Sequence, residues 1–371
     1  MKIIGLQCGN IRGGLGYDDA RALLNAELAA GEGPDLMDVT GFYQSDLLAQ
    51  KGAFVDLNVF FSGDLGLERE DYLKSVLELY TLNDAMYAVM TSFTFNTLIA
   101  HTSLVGDRET LSVHDIADIL ESEPTCNEAF PDKPTMLGYG LYYDIASYMD
   151  YDRAACFFDS EQFKELLQVA NSGSVNNGYY LFNSNTDHFM SGYTLLDQMN
   201  IYDITQLQRM KALVPGGVSI IGYPSYNGRR LCASPYGGAL AICSSSPYQE
   251  IAWEFIALTL SEEYQKGLEY CFPVRLSALE AQMAKAQERE PMTITYGEYQ
   301  EVKVEVLPAT DAEIDELWTL LNGINCKFSY HYEFYPIIFE EANLYFEGKV
   351  SIDEACDAIQ NRASLYLSEH Y

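Results

Sequence analysis

The chain has 371 residues, 48% of them hydrophobic, and a formal net charge of -32 from 54 acidic against 22 basic residues. A chain of that length buries enough apolar surface for about two domains, which excludes a disordered polymer. No apolar run reaches the roughly 18 residues that a membrane-spanning helix needs, and a surface this acidic repels phosphate backbones, so nucleic acid is not an expected partner.

Residues 2–6 read as a strand and residues 10–17 as a glycine-rich loop. The run Gly13-Gly14-Leu15-Gly16 fits neither the dinucleotide fingerprint nor the P-loop, so a turn is expected. Asp18 and Asp19 open a helix with Ala20, Leu23, Leu24 and Leu28 on its apolar face, closed by Gly31. A short buried strand over 36–39 follows, then a turn of Thr40, Gly41, Phe42 and Tyr43, then a helix that Gly52 stops. Strand, helix, strand, helix is the pattern of a largely parallel sheet, and such sheets take ligands at the carboxyl ends of their strands. Phe42 and Tyr43 are therefore the first candidates for ligand contact.

Residues 68–80 read as a helix, 86–90 as a short strand, and 91–96 follow at once. Helices are expected over 113–121 and 141–149, on either side of a proline-rich loop around Pro131 and Pro134. Tyr139, Tyr142, Tyr143, Tyr148 and Tyr151 cluster here; tyrosines can stack on sugar rings, but at helical spacing most pack or face solvent. An amphipathic helix over 160–169 leads to a polar loop over 171–177. A strand over 193–196 runs into Gln198, Met199, Asn200 and Tyr202. A helix over 204–213 and a strand over 218–221 come next.

Ser246-Pro247-Tyr248-Gln249 carries an N-cap serine, a first-turn proline and a glutamine three residues after the cap. Ile251, Phe255 and Leu258 are expected to form the buried face of that helix, and Trp253 is expected in the core. A turn at Phe272-Pro273-Val274-Arg275, a helix over 280–288 and strands or an irregular crossing over 293–306 follow. Thr310 and Glu313 form a capping box for a helix through Leu321. From His331 a helix, the Gly348-Lys349 turn, a second capping box at Ser351 and Glu354, and a helix through Leu367 give a helical hairpin.

Several of these segments resemble the extracellular solute-binding proteins of ABC importers, the sugar-binding type that includes maltose-binding protein. The matching residues are Gly33-Pro34-Asp35 with Leu36-Met37, Leu47-Leu48 and the run from Gly52 to Asp56-Leu57. They continue with Tyr87-Ala88-Val89 and Phe95-Asn96, Gly222-Tyr223-Pro224 with Gly228, and Ala252-Trp253-Glu254-Phe255-Ile256 with Ser261, Glu263 and Gln265. Phe272-Pro273-Val274-Arg275 and the carboxyl-terminal hairpin complete the set.

The resemblance implies an α/β, two-lobed periplasmic-binding-protein-like fold (class II), its lobes joined by crossing strands with a ligand cleft between them. The expected lobes are discontinuous: 1–96 with 244–300, and 97–243 with 301–371. At the first crossing Thr91, Ser92 and Phe93 are expected to line the cleft. In the family a strand and helix precede the residues that resemble 2–38, so this chain is expected to begin at the second strand.

Five histidines (His101, His114, His188, His331, His370) show no metal-ligand spacing, so neither a metal nor a cofactor is expected. No Gly-x-Ser-x-Gly elbow occurs, and 54 carboxylates give no specific support to a glycosidase pair. Eight cysteines (Cys8, Cys126, Cys156, Cys232, Cys243, Cys271, Cys326, Cys356) show no Cys-x-x-Cys and allow no assignment of pairs; most are expected as small buried apolar residues.

A sugar presents flat apolar ring faces and many hydroxyls, so its site wants aromatic platforms flanked by polar side chains. Phe42, Tyr43, Phe93, Tyr202, Tyr223, Tyr226 and Tyr236 fall in predicted loops at strand ends, with Gln198, Asn200 and Asn227 beside them. The expected function is therefore capture of a solute, a carbohydrate and preferably an oligosaccharide, by a monomer that closes by hinge motion and docks on ABC permease subunits. The alternatives are a sugar-active enzyme on an α/β scaffold, or a truncated binder serving as a sensor partner. The amino terminus has too short an apolar run for a signal peptide. The resemblance implies an extracellular or cell-surface protein, lipid-anchored or periplasmic, whose leader is absent from this chain.

Overall fold

The computed structural model describes residues 3–5, 17–40, 45–61, 67–150, 153–176, 186–214, 216–226, 231–296, 302–327 and 334–370. Two sheets organise them. In the first, Ile3–Gly5 lies parallel to Leu36–Asp38, Ala239–Ile242 lies antiparallel to Leu36–Asp38, and Val89–Met90 lies antiparallel to Ala239–Ile242. The sheet is thus mixed rather than largely parallel. Its last two strands are the ends of chain crossings that enter it from the neighbouring sheet.

That second, six-stranded sheet is built on the ten-residue strand Ser92–His101. Leu196–Ile201 and Phe272–Pro273 pair with one edge of it, and Cys232–Pro235 and Val218–Ile220 with the other, all antiparallel. Cys326–Lys327 adds to Cys232–Pro235 in parallel. Alternate side chains of a strand point to opposite faces. Here Phe93, Phe95 and Ile99 enter one hydrophobic core while Leu98 and Ala100 enter the other.

The first core holds Leu36, Met37, Val89, Trp253, Ile256 and Leu321; the second holds Ile116, Leu137, Phe163, Ile338 and Ile359. Apolar residues between 204 and 220 and between 304 and 324 belong to the first core, so core membership does not follow the expected lobe division there. None of the described helices is long and apolar enough to cross a membrane.

Capping signals locate several helices well. Ile204–Leu213 begins at Asp203, whose carboxylate accepts from the Gln206 amide. Both halves of the boxes at Thr310 with Glu313 and at Ser351 with Glu354 are made. The expected 68–80 helix is instead a 3-10 turn at Arg69–Asp71, a four-residue helix at Lys74–Leu77 and a second 3-10 turn at Glu78–Tyr80. The interruption has a cause: the Leu73 amide donates to the Val274 carbonyl at 2.8 Å, and Arg275 holds Asp71 and the Tyr72 hydroxyl.

The helix expected over 141–149 lies earlier, at Lys133–Tyr142, with Asp132 as N-cap and Pro134 in its first turn. Pro134, one of the two prolines that suggested a loop, therefore starts a helix. Two glycines persist inside it, and at Gly140 a Cβ would meet Leu166 at 2.4 Å, so close packing onto the neighbouring helix Glu161–Asn171 requires the missing side chain.

Gln249–Leu260 buries Ala252, Trp253, Ile256 and Leu260, while Ile251, Phe255 and Leu258, its expected inner face, are exposed. Trp253 is in the core, as expected, stacked on Phe60. Ser246 does not cap this helix: its hydroxyl donates to Asp35 at 2.7 Å and accepts from the Tyr248 amide. In the first helix, Tyr17–Ala29, Leu24 is buried but Leu23 is exposed.

Candidate functional site

The described chain passes between the two cores at several places, and three of these passages border the candidate site. Val89–Met90 in the first sheet continues through Thr91 into Ser92–His101 in the second. Cys232–Pro235 returns through Tyr236, Gly237 and Gly238 to Ala239–Ile242 in the first. The third passage runs from Ile324, in the first core, through Cys326–Lys327 towards Phe334, in the second.

The first two passages lie side by side. The Thr91 amide donates to the Gly238 carbonyl at 3.1 Å and the Tyr236 amide to the Ser92 carbonyl at 2.9 Å. Contact this close needs glycine: a Cβ on Gly237 would lie 2.5 Å from Thr91 Oγ1 and 2.7 Å from Ser92 Oγ, and Gly238 has a φ of +98°. Gln265 clamps the pair from behind. Its amide nitrogen donates to the carbonyls of Thr91 and Thr259, both at 2.7 Å, and its oxygen accepts from the amides of Val274 and Arg275.

At the carboxyl end of Leu36–Asp38, the Asp38 carboxylate accepts from the Thr40 amide at 2.9 Å, the Thr40 hydroxyl at 2.6 Å and the Ala239 amide at 3.1 Å. The end of this strand is thereby tied to the second passage. Beside it, Lys327 reaches from the third passage to Asp46 at the start of the helix Ser45–Gln50, with Nζ 2.8 Å from Oδ1. The Tyr87 hydroxyl bonds both groups, and Nζ sits 4.2 Å from the centre of the Tyr80 ring. Burial lowers the pKa of Lys327, and the Asp46 charge opposes that shift. Burial, with Asp46 next, pushes the Tyr87 phenol far above its ordinary range, so Tyr87 stays neutral.

Strand register assembles a polar face next to the passages. Asn96 is the cross-strand partner of Asn200, Leu98 of Gln198, and Thr94 of Ser234, and partners in register share a face of the sheet. The second core covers this face at Leu98 and Ala100. Beyond that cover Asn96, Gln198 and Ser234 are half-buried and Asn200 is exposed. Asn96 donates to the Ser234 hydroxyl at 2.7 Å, and Gln198 accepts from the Tyr139 hydroxyl at 2.8 Å. Tyr236, two residues beyond Ser234, is 60% exposed.

The sequence candidates therefore divide. Gln198 and Asn200 come together on one face with Asn96, while Tyr236 lies at the Ser92 end of the same sheet. Thr91 and Ser92 are buried within the paired passages, and Phe93 is buried against Phe272, with ring centres 5.5 Å apart. Tyr223 is buried in the second core, stacked on Tyr143 at 3.7 Å. Tyr226 donates to Glu165 at 3.0 Å, and Tyr202 makes an edge contact with the exposed Tyr270. Phe42, Tyr43 and Asn227 lie outside the described residues.

The sequence reading missed Asn96, Ser234, Asp46 and Lys327. Asn96 had a signal: in Ser92-Phe93-Thr94-Phe95-Asn96 the apolar and polar residues alternate, which sends the phenylalanines inward and Thr94 and Asn96 to the other face. A separate concavity of about 980 Å3, lined by Arg69, Glu70, Lys74, Glu78, Asn83 and Asp84 among others, shares no residue with the passages or the polar face.

Comparison with known proteins gives a consistent answer. The profile of the family described as bacterial extracellular solute-binding protein matches residues 10–291. Among solved structures, an extracellular solute-binding protein family 1 member from Alicyclobacillus acidocaldarius is similar at 16% identity over 94% of this chain and 88% of that one, with a TM-score of 0.56. The sugar-binding protein MalE from Xanthomonas citri is similar at 16% identity, covering 96% and 89%, with a TM-score of 0.55. An ABC substrate-binding protein from Listeria monocytogenes, solved in complex with cycloalternan, is similar at 13% identity, covering 95% and 90%, with a TM-score of 0.55. These likenesses show the two-lobed α/β fold. No curated protein sequence matches significantly.

Proposed function

The chain belongs to the bacterial extracellular solute-binding protein family, and from that premise we propose that it captures a carbohydrate, preferably an oligosaccharide, between its two cores for delivery to an ABC permease. The observation that carries the choice of ligand is the polar face itself. Asn96, Gln198, Asn200 and Ser234 supply amide and hydroxyl groups that can both donate and accept, as sugar hydroxyls do, and Tyr236 offers an exposed ring for a sugar face. The structural neighbours whose names state a saccharide, from Xanthomonas citri and Listeria monocytogenes, support the same reading.

Contacts to both lobes stabilise a closed form, because only a difference in affinity between two states shifts their balance. Bending is assigned to the paired passages at Thr91–Ser92 and Tyr236–Gly238, where few residues would need to change backbone angles. The protein acts as a monomer at the outer face of the membrane, held there by a lipid anchor or free in the periplasm, and binds without catalysing a reaction.

A thermal-shift screen of the purified chain against mono- and oligosaccharides, amino acids, peptides and metal ions tests this. A ligand at 100 times its dissociation constant adds about 2.7 kcal/mol of stability, well within detection. Stabilisation confined to one saccharide class is the expected result. Stabilisation by amino acids or peptides alone, or release of a sugar product during incubation, would overturn it.

A further inference from the structure

Strand pairing places two cysteines opposite each other at the third passage. Cys232 and Cys326 are direct partners in the parallel pair formed by Cys232–Pro235 and Cys326–Lys327. Neighbouring strands lie about 4.8 Å apart, inside the roughly 4.4–6.8 Å between Cα atoms that a disulfide accepts. Register sends both side chains to the same face, and both contribute to the second core. Among the described residues no other two cysteines are strand partners.

We propose that Cys232 and Cys326 form an intramolecular disulfide when the chain meets a low-molecular-weight disulfide oxidant. Cys326 is half-buried and Cys232 fully buried, so the oxidant meets Cys326 first. The Cys326 thiolate attacks one sulfur of oxidised glutathione, forming a mixed disulfide and releasing one molecule of glutathione. The Cys232 thiolate then attacks the Cys326 sulfur, forming the internal bond and releasing the second. Two protein thiols give up two electrons and two protons, and the oxidant becomes two thiols. Burial pushes the Cys232 thiol up, which suits it to the second, internal step, where proximity offsets its low thiolate fraction.

The bond would fasten the third passage to the central sheet. Lys327, the next residue, would then be held in register under Tyr80 and beside Asp46. A covalent tie between residues 232 and 326 also closes a long loop, the case in which a cross-link restricts the unfolded chain most.

The test uses the full chain, incubated with oxidised glutathione, alkylated and mapped by mass spectrometry. The expected result is loss of two of the eight alkylatable thiols, with a cross-linked peptide joining Cys232 to Cys326. The link should be reversible by dithiothreitol and should raise the melting temperature by several degrees. Cys326→Ser should show neither the cross-link nor the shift; if that variant fails to fold, mapping of the unaltered chain decides alone. Eight free thiols, a reaction that stops at a glutathione adduct, or a bond between other cysteines would overturn the proposal.

Discussion

The Lys327 ammonium lies 2.8 Å from the Asp46 carboxylate although 281 residues separate them in sequence, and the contact links the third passage to the first-sheet side of the molecule. Asp46 is half exposed and Lys327 is not, so the two halves of the pair differ in what their loss costs. Lys327→Met leaves a carboxylate that water can reach and should cost about 1 kcal/mol. Asp46→Asn leaves a buried cation without its counter-charge and should cost more, about 2 kcal/mol.

The sign of the pH dependence follows from the lowered Lys327 pKa. Between that value and the ordinary lysine value of 10.5, the unfolded chain binds more protons than the folded one, so stability rises with pH across the window. The deficit of Asp46→Asn should therefore shrink as pH is raised towards 10.5. Urea unfolding at neutral and alkaline pH checks both statements.

Gln265 uses all of its hydrogen-bonding groups on buried backbone partners. Gln265→Leu strands two carbonyls and two amides and should destabilise by at least about 3 kcal/mol. A loss under about 1 kcal/mol in denaturant titration would mean that the passages do not depend on this clamp.

Gly238 has a φ of +98° and faces Asp38, whose Oδ2 would lie 3.3 Å from an added Cβ. Gly238→Ala should cost about 1–2 kcal/mol through backbone strain. If the paired passages are the hinge, it should also alter ligand affinity, whereas Gly52→Ala, at a helix end with open space around it, should cost stability without touching affinity.

Tyr236 and Phe93 should separate binding from folding. Tyr236→Ala removes an exposed ring and should weaken saccharide binding about tenfold with little change in melting temperature. Phe93→Ala empties a buried site beside Phe272 and should cost about 3–5 kcal/mol of stability. Calorimetric titration and denaturant unfolding of both variants read the two effects.

Glu128 is buried, which by itself would raise its pKa, but bonds from Thr194, Ser174 and His188 outweigh burial and hold it below the usual carboxylate range. Its contribution is present above the unfolded carboxylate pKa and is lost as pH falls through the folded value. Glu128→Gln should therefore lower stability at pH 7 by about 1–3 kcal/mol and flatten the acid limb of the stability profile.

Local rules located what local chemistry decides. Thr310 and Ser351 each announce a helix start by a side chain that bonds an amide three residues on, and the structure keeps both; it adds Asp203 as the cap of Ile204–Leu213. The face of Gln249–Leu260 was not legible that way. Ile251, Phe255 and Leu258 share a stripe as apolar as that of Trp253 and Ile256, and only the position of the first sheet selects between them. The candidate site divides similarly. Gln198 and Asn200 were visible as polar residues after a strand, but their union with Asn96 and Ser234 comes from pairing across more than a hundred residues. Lys327 and Asp46 have no local signal for each other at all.

Ser92–His101 gives side chains to both cores, and this governs how the chain can be made. Neither hydrophobic interior is complete until that one strand is in place, so the two halves form a single cooperative unit rather than two beads on a string. The first interior also draws on residues as late as Ile324. During synthesis the amino-terminal strands must wait, unsealed, for most of the chain to emerge. Delayed long-range closure of this kind slows folding and leaves apolar surface open to chaperones in the interval.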